Sequence, residues 1–294
     1  MNRRAGLLAA AVLGIVAAVV MVTFALAWIY SSALLGAPCV GPLDGLDTRG
    51  YPAEAVSFPS REGHALRGWY SVGSEHPEIV IIVVPGGAGN TWAALNDAAI
   101  FAEAGFSTLI YEHRTCADPD LHMTTGYREA EDLLGAVDYL RDRDGVDHIG
   151  VSGFSVGGTA ALLAAPEEPA IEAVIAMGGF ASLAHDIRDP QRDLSVPDRI
   201  FREAVASVLS LRLGTPVRHV APVTTVDEIA PRPLLLVYGE YEMHSGGRLY
   251  EAAGPGSDLW MVPGATHGAY PVVAPEEYSE RLSSFMQDAF AVND

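Results

Sequence analysis

Residues 153–157 read Gly-Phe-Ser-Val-Gly, and their neighbours decide whether that serine can do chemistry. An apolar run through Ile149 and Val151 predicts a short buried strand over His148 to Ser152, and the small apolar residues from Thr159 to Ala165 predict a helix. A serine on so sharp a strand-to-helix corner has strained backbone angles, and side chains two residues away on either side would strike adjoining segments. Gly153 and Gly157 remove those collisions. The corner exposes the hydroxyl of Ser155 at a strand end and sets the N–H of Val156, at the start of the helix, beside any oxyanion that forms there. A plain Gly/Ser turn would spell the same five letters in a chain with 30 glycines, so the reading depends on partners elsewhere.

A serine hydroxyl needs a base, a group that orients the base, and donors for the oxyanion. All three have candidates. After a predicted strand from Pro233 to Tyr238 comes Gly239-Glu240-Tyr241-Glu242, and after another from Asp258 to Val262 comes Pro263-Gly264-Ala265-Thr266-His267-Gly268. Upstream, the continuous apolar strand Glu78 to Val84 stops at Pro85-Gly86-Gly87-Ala88-Gly89-Asn90, a loop open enough to offer backbone N–H groups. One stretch suggests rival chemistry: Glu112, His113, Cys116, Asp118, Asp120 and His122 all carry metal-capable atoms. A catalytic zinc needs three ligands and a water, but this spacing matches no metal motif.

The elements that must position these residues alternate. Two short strands, Ala55 to Ser60 and Ala65 to Ser71, flank Arg61-Glu62-Gly63-His64 and predict a hairpin. Beyond Val84 the pattern gives a helix (Thr91 to Ala104), a strand (Phe106 to Tyr111), a helix (Tyr127 to Arg141), the strand before Ser155, and a strand from Ile171 to Met177. Such alternation predicts an α/β fold with a mostly parallel central sheet and helices on both faces. Phe180 to Val226 interrupts it with a charged segment and a helix-like run from Arg199 to Arg212; this excursion reads either as a lid or as an ordinary connection. The alternation resumes to a closing helix from Pro275 to Phe290.

From Ala5 to Tyr30 there are 26 residues without a charge, preceded by Arg3 and Arg4. At 1.5 Å per residue this exceeds the roughly 30 Å of bilayer hydrocarbon. The segment predicts a single transmembrane anchor with its N-terminus in the cytoplasm and the remainder outside. A cleaved signal peptide is the alternative, with Ala25-Leu26-Ala27 as the cleavage site. The expected organisation is an anchor over residues 1–30, a Gly- and Pro-rich linker over 31–54, and one α/β domain over 55–294.

The 294 residues carry 18 basic and 37 acidic side chains, a formal charge of -19. That balance argues against nucleic acid as a partner. Every basic residue is arginine, which fits either a salt-adapted protein or a GC-rich genome. Two cysteines, Cys39 and Cys116, are too few for a disulfide framework or a four-ligand zinc site, while a single bridge between them stays open.

Taken together, the Gly-rich loop after Val84, G-x-S-x-G at Ser155, G-x-x-E at Glu242 and the Gly-led loop at His267 resemble the α/β-hydrolase superfamily, in particular its esterase, lipase and serine-aminopeptidase-like branches. The resemblance covers about Ala55 to Phe290. It implies an α/β-hydrolase fold in which Ser155 is the nucleophile, His267 the general base and Glu242 the acid, with the N–H groups of Val156 and Gly87 as the oxyanion hole. Neither metal nor organic cofactor is implied, and the expected partner is a small-molecule acyl substrate. A carboxylic ester is the leading class; peptidase, thioesterase or acyltransferase activity would use the same atoms, and a non-catalytic binding domain would use the same fold. Three positions depart from the family pattern. Glutamate stands where aspartate is commoner, with Glu240 and Asp186 as other acids; Pro85 replaces the histidine of His-Gly; and Glu112-His113-Arg114-Thr115-Cys116-Ala117-Asp118 lacks the glycines of D-x-R-G-x-G-x-S.

Overall fold

The computed structural model describes residues 3–36, 39, 53–87, 91–118, 120–188 and 193–292. They form two compact units, one of residues 1–36 with 183–219 and the other of residues 37–182 with 220–294.

The larger unit is built on one eight-stranded sheet: β1 (Ala53–Pro59), β2 (Ala65–Ser71), β3 (His76–Val84), β4 (Phe106–Tyr111), β5 (His148–Phe154), β6 (Ile171–Met177), β7 (Leu234–Gly239) and β8 (Ser257–Val262). Their order across the sheet is β1-β2-β4-β3-β5-β6-β7-β8. β1 and β2 form the expected hairpin, β2 joins β4 antiparallel, and every other pair is parallel. β3 shows why its sequence is apolar without alternation. Val80, Ile82 and Val84 enter one core with Leu133, Leu134 and Val137 of a helix over Glu129–Arg141, whereas Ile79, Ile81 and Val83 enter the opposite core. That second core contains Ala94, Leu95 and Phe101 of the helix Thr91–Glu103, and Leu282 and Met286 of the helix Pro275–Ala289. A strand with both faces covered has no polar side to show. Each fully buried Val or Ile contributes roughly 1.5–3 kcal/mol, so the sheet is the rigid frame from which the loops project.

The smaller unit holds α1 (Arg3–Leu35), a helix over Leu183–Arg188 and one over Val196–Leu213. α1 runs past Tyr30, the expected end of the anchor, so the first residues of the expected linker are helical. Over Gly6–Leu35 it has a mean hydropathy of 2.8, long and apolar enough to cross a membrane. The Val196–Leu213 helix starts where Ser195 accepts the N–H of Asp198 and stops at Gly214, whose φ of 69° few other residues adopt. Arg212, in its last turn, donates to Ser31 and Ser32 of α1 at 3.1 and 2.9 Å and lies 5.1 Å above the Trp28 ring.

Candidate active site

Strand register brings the separated motifs together. Val84 of β3 pairs with Gly153 of β5, so the loops that follow, with Gly87 and Ser155, leave the sheet side by side. Gly239 of β7 pairs with Val262 of β8, so Glu242 and His267 emerge as neighbours in the same way. All four groups lie at the carboxyl ends of parallel strands, on either side of the strand-order reversal, the usual ligand position in such sheets.

Ser155 sits between β5 and a helix over Val156–Ala164, with φ 55° and ψ −113°. Few residues other than glycine hold a positive φ, and the corner is over-determined by its neighbours. Ser155 donates its N–H to the Met177 carbonyl at 2.7 Å and accepts the Thr159 N–H at 3.0 Å. The flanking glycines are required by contact: a Cβ at 153 would stand 2.3 Å from the Gly157 carbonyl oxygen, and one at 157 would stand 2.5 Å from that of Val84.

His267 Nε2 lies 2.9 Å from Ser155 Oγ, and its Nδ1 lies 2.5 Å from Glu242 Oε1. A carboxylate at Nδ1 assigns the proton to that nitrogen and leaves Nε2 to accept from the hydroxyl. The imidazole is half exposed and lies over Phe154, ring centres 5.0 Å apart. Gly178, with φ 61°, passes so near that a Cβ there would stand 2.9 Å from His267 Cε1.

Glu242 ends a short 3₁₀ turn that begins at Glu240. Its Oε2 accepts the Gly239 N–H at 2.9 Å and the Tyr270 hydroxyl. Burial pushes this carboxyl up, but hydrogen bonds from His267, Tyr270 and Gly239 outweigh it and hold Glu242 below the usual range. Burial, then the carboxylate beside it, push the Tyr270 phenol far above its usual value. Glu240 has a different partner: its Oε2 accepts the Gly264 N–H at 2.9 Å, tethering the turn that carries His267. Asp186 lies on the Leu183–Arg188 helix of the other unit.

Gly87 follows β3, and a Cβ there would meet Met123 Sδ at 2.7 Å and Val156 Cγ2 at 3.3 Å. Gly87 and Val156 are therefore in contact range, and the Val156 N–H, first in its helix, has no intrahelical acceptor. Ala88, Gly89 and Asn90 lie outside the described residues.

The rival cluster after β4 is occupied by structure. Glu112 forms a two-pronged pair with Arg67, both contacts at 2.9 Å. Cys116 is bonded to Cys39, with their Cα atoms 4.8 Å apart. His113 faces Thr115 and Glu129, and Asp118 caps the Asp120 N–H. Arg114, fully buried, grips Asp132 through two contacts of 2.8 Å and reaches Glu62 at 2.6 Å. Of the metal-capable side chains, Glu112, His113, Cys116 and Asp118 are held in ion pairs, hydrogen bonds or the disulfide, while Asp120 and His122 are exposed. Tyr270, Phe154 and Met123 escaped the sequence reading, because an aromatic three residues past His267 or a methionine in a loop carries no local mark of its contacts.

Fold and residue placement define an α/β-hydrolase framework. Residues 79–217 match the family model for the alpha/beta hydrolase fold, and the chain has that fold. It is 26% identical over 248 residues to YqkD, an uncharacterized protein of Bacillus subtilis, covering 80% of this chain and 79% of that one. To the thiohydrolase apmlB of Arthrinium phaeospermum it is 28% identical over 159 residues, about half of each chain. Among solved structures, the Pyrococcus furiosus esterase Pf2001 superposes with a TM-score of 0.67 at 21% identity, covering 86% of this chain and 97% of that one. Est1E of Butyrivibrio proteoclasticus superposes with a TM-score of 0.60 at 21% identity, covering 81% and 99%.

Proposed function

We propose that this protein is a serine hydrolase that cleaves a carboxylic ester through an acyl-enzyme. The observation that carries the reading is the row Ser155 Oγ, His267 Nε2, His267 Nδ1, Glu242 Oε1, with steps of 2.9 and 2.5 Å, on a serine held at φ 55°. Ser155 attacks the acyl carbonyl as its proton passes to Nε2; Glu242 stabilises the imidazolium, and the N–H groups of Val156 and Gly87 receive the oxyanion. The imidazolium then returns its proton to the departing alkoxide as the carbonyl reforms. Water repeats the sequence on the acyl-enzyme, releasing the acid and restoring Ser155. An ester is a less demanding acyl donor for such a site than an amide, whose leaving group is poorer. A thioester is the second reading, favoured by the thiohydrolase among the relatives.

The test is fluorophosphonate labelling of the full chain in detergent, in low and high salt, beside Ser155→Ala, followed by matched ester and thioester substrates. Labelling that depends on Ser155 is expected, with esters turned over faster. A folded protein that stays unlabelled at either salt overturns the reading.

We read α1 as an uncleaved anchor and the hydrolase unit as extracytoplasmic. The Cys39–Cys116 bridge supports this side of the membrane, since such bonds persist in oxidising compartments. Intact mass and thiol labelling of membrane-extracted protein check both points: the expected result is a retained N-terminal helix and no reactive thiol.

A further inference from the structure

Resting on the reading just given, we propose that Tyr270 is the positioning residue that lets a glutamate serve as the acid of this site. A glutamate reaches further than an aspartate and has one more rotatable bond, so its carboxylate must be pinned before it can hold an imidazole in one orientation. Both oxygens of Glu242 are committed. Oε2 takes the Gly239 N–H at 2.9 Å and the Tyr270 hydroxyl, which leaves Oε1 for His267 Nδ1 at 2.5 Å.

Tyr270 is itself immobile. It is 1% exposed, opens a short helix over Tyr270–Val273 three residues beyond His267, and meets the edge of Phe154 with ring centres 6.2 Å apart. Gly178 closes the other side: a Cβ there would stand 2.7 Å from the Tyr270 hydroxyl oxygen. Phe154, which precedes Ser155 in the chain, thus packs on both His267 and Tyr270. Base, acid and the phenol that pins the acid are held as one packed group, and the phenol acts on the reaction only through Glu242.

The chemistry fixes a direction for pH. A hydrogen bond from the phenol favours ionised Glu242, so removing it raises that carboxyl. The acid limb of kcat/KM therefore moves upward.

The experiment compares Tyr270→Phe with the parent, and in the Glu242→Gln background, using the full chain in detergent and a chromogenic ester, with thermal melting to verify the fold. A hydrogen bond to a charged group supports an expected fall in kcat of about 10- to 100-fold. KM should stay within about twofold, the acid limb should rise, and the Glu242→Gln background should show little further loss, since its effect is already spent. An unchanged kcat and pH profile overturns the inference, as does a loss that is fully additive with Glu242→Gln. Ser155→Ala, run in parallel, separates the two readings: ester cleavage that survives it overturns the nucleophile assignment, whereas a silent Tyr270→Phe beside an inactive Ser155→Ala overturns only the role of Tyr270.

Discussion

His267 and His113 each stand between a glutamate and a hydroxyl, yet only one of these rows is placed to do chemistry. His267 hydrogen-bonds both Glu242 and Ser155; His113 has Nδ1 3.0 Å from Thr115 Oγ1 and only an ion-pair approach of 3.3 Å from Nε2 to Glu129 Oε1, without hydrogen-bond geometry. The His267 side chain is 49% exposed and that of His113 is 2% exposed. Thr115 lies inside a one-turn helix over Arg114–Ala117, whereas Ser155 occupies a corner at a strand end beside the first N–H of a longer helix. Glu129 is held by the Thr124 N–H at 2.7 Å, the Thr124 hydroxyl at 2.6 Å and the Gly126 N–H at 2.9 Å. A carboxylate, an imidazole and a hydroxyl within reach of one another thus make a structural clasp when buried. They make a reactive group only where a substrate and oxyanion donors can meet the hydroxyl.

The sharpest way to break this comparison is to remove each hydroxyl. Ser155→Ala should lower ester turnover on the order of 10⁴-fold or more and end fluorophosphonate labelling. Thr115→Ala should label as the parent does, and its cost, about 1 kcal/mol for the lost hydrogen bond to His113, should appear only in thermal melting. Next come the two carboxylates after β7. Glu242→Gln should cost about 10³-fold in kcat, because the imidazolium loses its counter-charge, and Glu240→Gln, which loosens only the Gly264 tether, about tenfold or less. Equal losses would mean that the turn, not the charge, is what matters.

The buried row should respond in stability. Burial pushes Glu129 up, but His113 and the Thr124 donors outweigh it and hold it at about 2. A carboxyl depressed in the folded state stabilises the fold above its unfolded value of about 4.3, and that gain is lost as pH falls toward 2. Glu129→Gln should cost roughly 3 kcal/mol at neutral pH and flatten the acid side of the stability curve, measured by denaturant titration between about pH 3 and 6. Asp97 is the converse, and over a single pH unit near neutrality its effect is small. Burial drives it up to about 7 against a single opposing hydrogen bond from Tyr278 at 2.9 Å. A carboxyl raised in the fold stabilises it at low pH and loses that contribution as pH rises through 7. The parent should lose about 1 kcal/mol between about pH 6 and 7, and Asp97→Asn should remove that slope.

Much of the frame was legible because its causes are local. The unbroken apolar run of β3, the period of the Glu129–Arg141 helix and the Gly63 hairpin turn each answer to nearby sterics or to one buried face. The corner at Ser155 was legible for the same reason, since two glycines at fixed spacing relieve a collision within five residues. What was not legible depends on pairs far apart in the chain. The Cys39–Cys116 bond spans 77 positions, and the burial of Arg114 depends on Asp132 and Glu62 reaching it from two other segments.

By itself, the sequence determined a strand-turn-helix corner around Ser155, an alternating α/β frame, a helix long enough to span a bilayer, and two loops with an acid and a histidine after late strands. Periodicity, glycine sterics and charge act over a few residues and need no partner to be read. Only the tertiary structure decided which carboxylate faces His267, that Tyr270 pins it, and that His113 of the stretch after β4 is buried between Thr115 and Glu129. Glu240 and Glu242 are two residues apart on one short turn, and their directions follow from the pairing of Gly239 with Val262 and the packing of Tyr270, neither of which has a local signature.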